Sequence, residues 1–257
     1  MFKKYKEKKF IKELSAYANE KLDIIVVAGQ SNAEGCGRGY EEMKYRQNPL
    51  ILSLDKKKGL KIANENNIGR VYRSWFGLTF GEEYIKQGLL KKDRKLLLLN
   101  VAVGGTGFSD NRWGLTEDLY LNMINRVNTF QKLNVENSVK CILWHQGESD
   151  ALNNMSEEKY YEKLTTLIVN ARKQIDLLKL PFIAGDMVPE WKVTEPMSFV
   201  IERATRRVVK DTPDCYYVES SELEGNSKPD IIHFNRKSNI ELGKRYFESF
   251  YKHQSSL

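Results

Sequence analysis

A serine hydroxyl, an imidazole and a carboxylate do acyl-transfer chemistry only when the fold brings them together, and this chain carries one such set at distant positions. Ser31 stands in Gly29-Gln30-Ser31-Asn32, directly after an apolar run. A serine attacks a carbonyl efficiently only when a base takes its proton. The chain has three histidines, His145, His233 and His253, and His233 follows Asp230 by three residues. One tight turn would bring that carboxylate to Nδ1, fix the tautomer and leave Nε2 facing Ser31. Gly29–Asn32 fits two readings: a turn presenting a nucleophile, or an Asn/Ser cap opening a helix. The G-x-S-x-G elbow of ordinary α/β-hydrolases is absent, because Ala33 stands at its second glycine position.

Attack on a carbonyl also needs donors placed where negative charge will form. The Ser31 N–H, a backbone N–H from Gly104 or Gly105, and the Gln146 side-chain amide could supply them. The Gly104–Gly107 segment could instead cradle phosphate, but it lacks a following Lys-Ser/Thr and the G-x-G-x-x-G spacing. Glu148 and Asp150 sit in one loop, where two acids straddle a sugar ring poorly, which argues against a glycosidase. The histidines lack ligand spacing and no Cys/His cluster exists, so neither a metal nor a cofactor is expected. Candidate substrate contacts are Gln30, Asn32, Trp113 and His145. Of Trp75, Trp113 and Trp191, some are expected in the core, the default for Trp, and one or two could stack on a sugar face.

The elements that must position these groups alternate. Apolar, β-branched or short buried runs predict strands at Leu22–Ala28, Lys95–Val103, Val139–His145, Phe182–Val188 and Cys215–Val218. Helical periodicity falls between them, at Leu78–Leu90, Glu117–Leu133, Ser156–Leu178 and Pro196–Lys210, with a closing helix from Arg236 to about Lys252. Strands separated by such helices form βαβ units. The expected fold class is therefore α/β, a three-layer α/β/α sandwich with a mainly parallel five-stranded sheet. Residues 33–75 read as irregular, with short strands near Leu50–Leu54 and Leu60–Ile62. Gly35, Gly37 and Gly39 read as loop flexibility near the mouth of the site. Ligands in open α/β sheets bind beyond the carboxyl ends of the strands, and Gly29–Asn32, Gly104–Gly107, Gln146–Asp150 and Asp230–His233 each follow or face such an end.

Composition narrows the function classes. The 257 residues are 41% apolar and 29% charged, which excludes a disordered chain, and no apolar run approaches the roughly 20 residues that span a bilayer. A formal charge of +7 is concentrated at one end, since residues 1–21 hold seven Lys against three Glu. That arrangement predicts a basic N-terminal helix at 1–21 and a single domain at 22–257. The helix either merely aids solubility or contacts a partner, and a nucleic-acid stripe on the folded surface is not expected. Phe10, Ile11, Leu14, Tyr17 and Ala18 are interrupted by Lys12 and Glu13, so no secretion-signal core is read there. Three scattered cysteines, Cys36, Cys141 and Cys215, fit a reducing compartment, and the cytoplasm is the default expectation. A phage particle or leaderless export would look the same.

At these motifs the sequence resembles the SGNH hydrolases, in the branch holding sialate O-acetylesterases and acetylxylan esterases (carbohydrate esterase family 6). The matching segments are Gly29–Asn32, Phe76–Gly81, the turn at Gly104-Gly105, Trp144–Asp150 and Asp230–Phe234, in the family's order. The resemblance implies Ser31 as nucleophile and Asp230 and His233 as its relay. It implies oxyanion donors at Ser31, the glycine turn and Gln146, and Glu148 as an additional acid supporting the histidine. The implied activity is removal of O-acetyl groups from a carbohydrate, such as acetylxylan, a sialate or a bacterial surface glycan, through an acetyl-enzyme. A non-catalytic carbohydrate-binding or virion/cell-surface adaptor on the same fold is the alternative. The chain departs from the pattern at Ala33-Glu34, where relatives often carry a methionine.

Overall fold

The computed structural model describes residues 14–39, 45–55, 59–68 and 71–254. The residues predicted as a basic N-terminal helix lie mostly outside these. The described part of that segment forms one 3-10 turn, Ser15–Tyr17, before the first strand.

The chain enters β1 (Lys21–Gly29), whose apolar side chains are buried on both faces, as a central parallel strand requires. It turns at once into the four-residue α1 (Ser31–Glu34). An excursion follows through β2 (Gly37–Gly39), β3 (Ile51–Asp55), β4 (Gly59–Ile62), β5 (Asn66–Ile68) and β6 (Val71–Ser74). Then come α2 (Phe76–Lys86), β7 (Arg94–Asn100), α3 (Asp118–Leu133) and β8 (Ser138–His145). The remaining elements are α4 (Glu148–Leu152), α5 (Glu157–Ile175), β9 (Phe182–Gly185), α6 (Pro189–Thr194), α7 (Met197–Asp211), β10 (Cys215–Val218) and α8 (Arg236–Gln254). Ser156 caps α5 as its sequence position predicts, its hydroxyl accepting the Lys159 N–H.

The main sheet has the order β10-β9-β8-β1-β7-β3-β4, and only β4 runs antiparallel to its neighbour. The expected α/β class holds, with seven strands rather than five. The two additional strands, β3 and β4, are the short runs noted near Leu50–Leu54 and Leu60–Ile62. They were undercounted because each is brief and set among polar residues. A second sheet, β2-β6-β5, occupies much of the stretch read as irregular. The helices fall into two packed groups: α2 against α8, and α3 with α5 and α7. Among the described residues, no helix is long and apolar enough to cross a membrane.

After β1 the chain lays down β3 and β4 at one edge, returns to place β7 between them and β1, and then crosses to add β8, β9 and β10 on the other side. The direction of winding thus reverses around β1, and its carboxyl end lies at the switch point where α/β sheets hold ligands. At the opposite end of the strand, buried Asp23 anchors the start of β1. Its carboxylate accepts from Arg94 Nε at 2.8 Å and from Tyr84 at 2.8 Å.

Candidate active site

Gly29 ends β1 with φ of 121°, and a Cβ there would lie 2.0 Å from the His145 carbonyl oxygen. Only glycine permits this approach of β1 to β8. The Gln30 N–H then donates to that same carbonyl at 2.9 Å, fixing the turn that starts α1 at Ser31. Ser31 is 7% exposed. The cap reading does not hold: Gln30 stands before the helix without a side-chain capping bond, and Ser31 is the first residue of α1, its Oγ facing His233. His233 Nε2 lies 2.9 Å from that Oγ, and His233 Nδ1 lies 2.5 Å from Asp230 Oδ1. A carboxylate facing Nδ1 keeps the proton there, so Nε2 presents its lone pair to the serine O–H. Asp230 Oδ2 is held in turn by Asn226 Nδ2 at 3.0 Å and by the Arg38 guanidinium at 3.1 Å.

Asn32 binds this loop from the other side. Its amide nitrogen donates to Glu148 Oε1 at 2.6 Å and to the Ile232 carbonyl at 3.1 Å, while its oxygen accepts the Phe234 N–H at 3.0 Å. Glu148 is fully buried, and its other oxygen has no hydrogen-bond partner among the described residues. Burial raises its pKa above the ordinary carboxyl value, against the lowering effects of nearby hydrogen bonds and His233. No hydrogen bond joins Glu148 to His233 among the described residues. Its nearest imidazole contact is His145 Nε2, 3.9 Å away. His145, also fully buried, has its pKa pushed down to about 3 by loss of solvent. The Tyr246 hydroxyl donates to the Trp144 carbonyl and lies 3.1 Å from His145 Nδ1, from which it accepts.

The candidate oxyanion donors separate into two kinds. The Ser31 N–H and the Gly105 N–H have no acceptor among the described residues. The glycine turn lies beside the serine, since a Cβ on Gly104 would stand 3.5 Å from Ser31 Cβ. The Gly104 N–H, however, donates to Glu34 Oε2 at 2.9 Å. The Gln146 side chain is turned inward, a correction to its expected place beside the serine. Its amide nitrogen donates to Asp150 Oδ2 at 2.8 Å and approaches Gln30 Oε1 and the Thr106 carbonyl, and its oxygen accepts from Tyr160. The buried Asp150 carboxylate, four residues on in α4, takes that amide as a charge-assisted hydrogen bond.

The four expected substrate contacts are likewise interior groups. Gln30, Asn32, Trp113 and His145 are all buried, as are Trp75 and Trp191. Gln30 Oε1 accepts the Ser149 N–H at 3.1 Å, and Trp113 donates to Thr106 Oγ1 and packs edge-on against Trp144. None of these side chains presents an exposed face. Gly37 and Gly39 are not flexible spacers either. They form β2, where a Cβ would strike Asn239 or Arg236.

Sequence reasoning missed Asn226 and Arg38, which carry no distinguishing signal, and saw Glu34 only as a departure from the family pattern, not as a partner of the glycine turn. It also missed the task of Asp150, which accepts the Phe108 and Ser109 N–H groups at 3.0 and 2.7 Å and so fixes the chain beyond the glycine turn. Glu148 and Asp150 are both fully buried and flank no cleft. Among the described residues no group of three or more His, Cys, Asp or Glu side chains could hold a metal ion.

Residues 21–252 match the family described as carbohydrate esterase, sialic acid-specific acetylesterase. The chain belongs to this family. That is the branch its five motifs resemble. Among curated proteins it is 28% identical over 178 residues to the probable carbohydrate esterase At4g34215 of Arabidopsis thaliana, covering 62% of this chain. The matched stretch spans 66% of that relative, just under two thirds of its length. The solved structure of the Arabidopsis protein superposes with a TM-score of 0.75 at 21% identity, covering 91% of this chain and 98% of that one. NanS gives 0.79 at 14% identity, covering 93% and 99%, and the carbohydrate acetylesterase XAC1771 from Xanthomonas citri gives 0.60 at 16%, covering 90% and 56%. At these identities the superpositions establish a shared fold.

Proposed function

We propose that this protein is a serine esterase that removes O-acetyl groups from a carbohydrate. The observation that carries the reading is the unbroken relay from Ser31 Oγ through His233 to Asp230, at 2.9 and 2.5 Å, beside two N–H groups with no acceptor among the described residues.

Ser31 Oγ attacks the acetyl carbonyl carbon while His233 Nε2 takes its proton, a transfer commonly worth a factor of roughly 10²–10⁴. Asp230 holds the imidazole in orientation and stabilises the imidazolium that forms. Charge on the carbonyl oxygen is met by the Ser31 and Gly105 N–H groups, each donor contributing roughly 10²–10³. Collapse of the adduct expels the sugar oxygen, which His233 protonates. Water, deprotonated by His233, then clears the acetyl group from Ser31 as acetate. None of these steps calls on a metal or a cofactor. The three free thiols, two of them buried, support a reducing compartment as the place of work.

The test compares the native protein with Ser31→Ala. Release of p-nitrophenol from its acetate ester and of acetate from O-acetylated sialates and xylans should fall at least about 10³-fold, and labelling by a fluorophosphonate should disappear. Equal rates, or absence of turnover and labelling in both proteins, would leave a binding module on the hydrolase fold as the better account.

A further inference from the structure

We propose that Glu34 is an internal competitor for the oxyanion: its carboxylate holds the Gly104 N–H, and the acyl oxygen must displace it for the full set of donors to act. The inference rests on the serine-esterase reading.

Ser31 and Glu34 are three residues apart on α1, the spacing that stacks two side chains on one helix face. Gly35, with φ of 118°, ends the helix there, so Glu34 is its last residue and reaches across to the glycine turn. Gly104 lies against both. A Cβ at that position would meet Glu34 Oε2 at 3.0 Å and Ser31 Cβ at 3.5 Å, so the carboxylate and the serine flank one glycine. The Glu34 oxygen accepts the Gly104 N–H at 2.9 Å.

A carboxylate oxygen and the alkoxide-like oxygen of a tetrahedral adduct make the same demand on an N–H. One donor cannot serve both well, and two anions side by side repel. The chain thus sets a negative charge beside the place where its own chemistry must create another. Glu34 is exposed, so its side chain can swing into solvent at modest cost, and the contact restrains turnover without abolishing it. The same charge acts on the incoming molecule. An acetylated sugar bearing a carboxylate near the ester meets repulsion that a neutral one does not.

The rival account makes Glu34 a prop, whose hydrogen bond keeps the Gly104 peptide aimed at the cleft. Glu34→Gln and Glu34→Ala separate the two. As a competitor, Glu34 when neutralised or removed should raise kcat/KM for neutral p-nitrophenyl acetate by about tenfold, below the roughly 10²–10³ of a whole donor gained or lost. The inhibition constant of phenylboronic acid should fall by a similar factor. This compound forms a B–O bond to the serine oxygen, the serine proton passing to His233, and the resulting anionic adduct probes the oxyanion site without turnover. The gain should be larger for a substrate carrying a carboxylate than for the neutral ester, and thermal melting should confirm that both variants fold. An active wild type whose two variants are unchanged or slower, with boronate binding unchanged or weaker, overturns the competitor role alone. An inert wild type that also fails to label with a fluorophosphonate overturns the esterase reading and this inference together.

Discussion

Asn32 Oδ1 accepts the Phe234 N–H at 3.0 Å, joining the residue after the candidate nucleophile to the residue after the candidate base. With its amide nitrogen on the Ile232 carbonyl, Asn32 grips the backbone on both sides of His233. It takes no part in bond making, yet it sets where the imidazole stands.

Asn32→Ala should therefore damage chemistry more than binding. It leaves the Phe234 N–H, the Ile232 carbonyl and Glu148 without a partner, each at about 1–3 kcal/mol if the orphaned group stays buried. The expected outcome in steady-state kinetics is a fall in kcat of about 10²-fold, with KM changed by less than about threefold. A fall confined to KM would place Asn32 against the substrate instead.

The two acids near the histidine should respond unequally. Asp230 touches His233 Nδ1, whereas Glu148 touches Asn32 and faces His145. Asp230→Asn is expected to lower kcat/KM by roughly 10²–10⁴-fold, because an amide can favour the wrong tautomer. Glu148→Gln should lower it by less than about tenfold, since the amide oxygen can still accept from Asn32. Kinetics of the two variants side by side would check this, and the reverse order would transfer the orienting role to Glu148.

Acid should weaken the fold partly through His145. Burial holds its pKa near 3 against 6.5, so between those values the unfolded chain binds a proton that the folded chain refuses. The stability involved is present above about pH 6.5 and is lost as pH falls through the window, with an upper bound of roughly 5 kcal/mol. Glu148 works in the opposite direction. Its raised pKa means that the folded state keeps a proton the unfolded state releases, so its contribution declines as pH rises past the ordinary carboxyl value. Urea unfolding followed from pH 7 to pH 4 should show a shallower slope in His145→Gln than in the native protein. Identical slopes would show that His145 does not drive the acid loss.

Much of the scaffold is legible because its signals are local. A short apolar run rich in β-branched residues and closed by a glycine reads as a buried strand, and β1 falls at Lys21–Gly29 against an expected Leu22–Ala28. The strand at Cys215–Val218 and the start of the last helix at Arg236 coincide with their expected positions. The excursion through β2 to β6 was read poorly, since its three- to five-residue strands owe their existence to partners rather than to pattern. In the site, chemistry-bearing residues were legible by type and spacing, and the structure brings Ser31, Asp230 and His233 together. What sequence could not show was direction. Gln146 and Asn32 carry the same amide whether they face a cleft or a neighbouring carboxylate, and burial decided between the two. Glu34 was visible only as a departure from the family pattern, with no sign that it would reach the Gly104 N–H.

The contact between Ser31 and His233 joins residues 202 apart, and α8, which begins three residues after the histidine, must settle on α2 for that contact to hold. Contacts of such long sequence separation are costly to close and are not made by local structure. The Ser31–His233 pair is thus assembled only after the last helix has docked. Enzymatic recovery after dilution from denaturant would time the docking of the last helix, while circular dichroism would register helices and strands already in place.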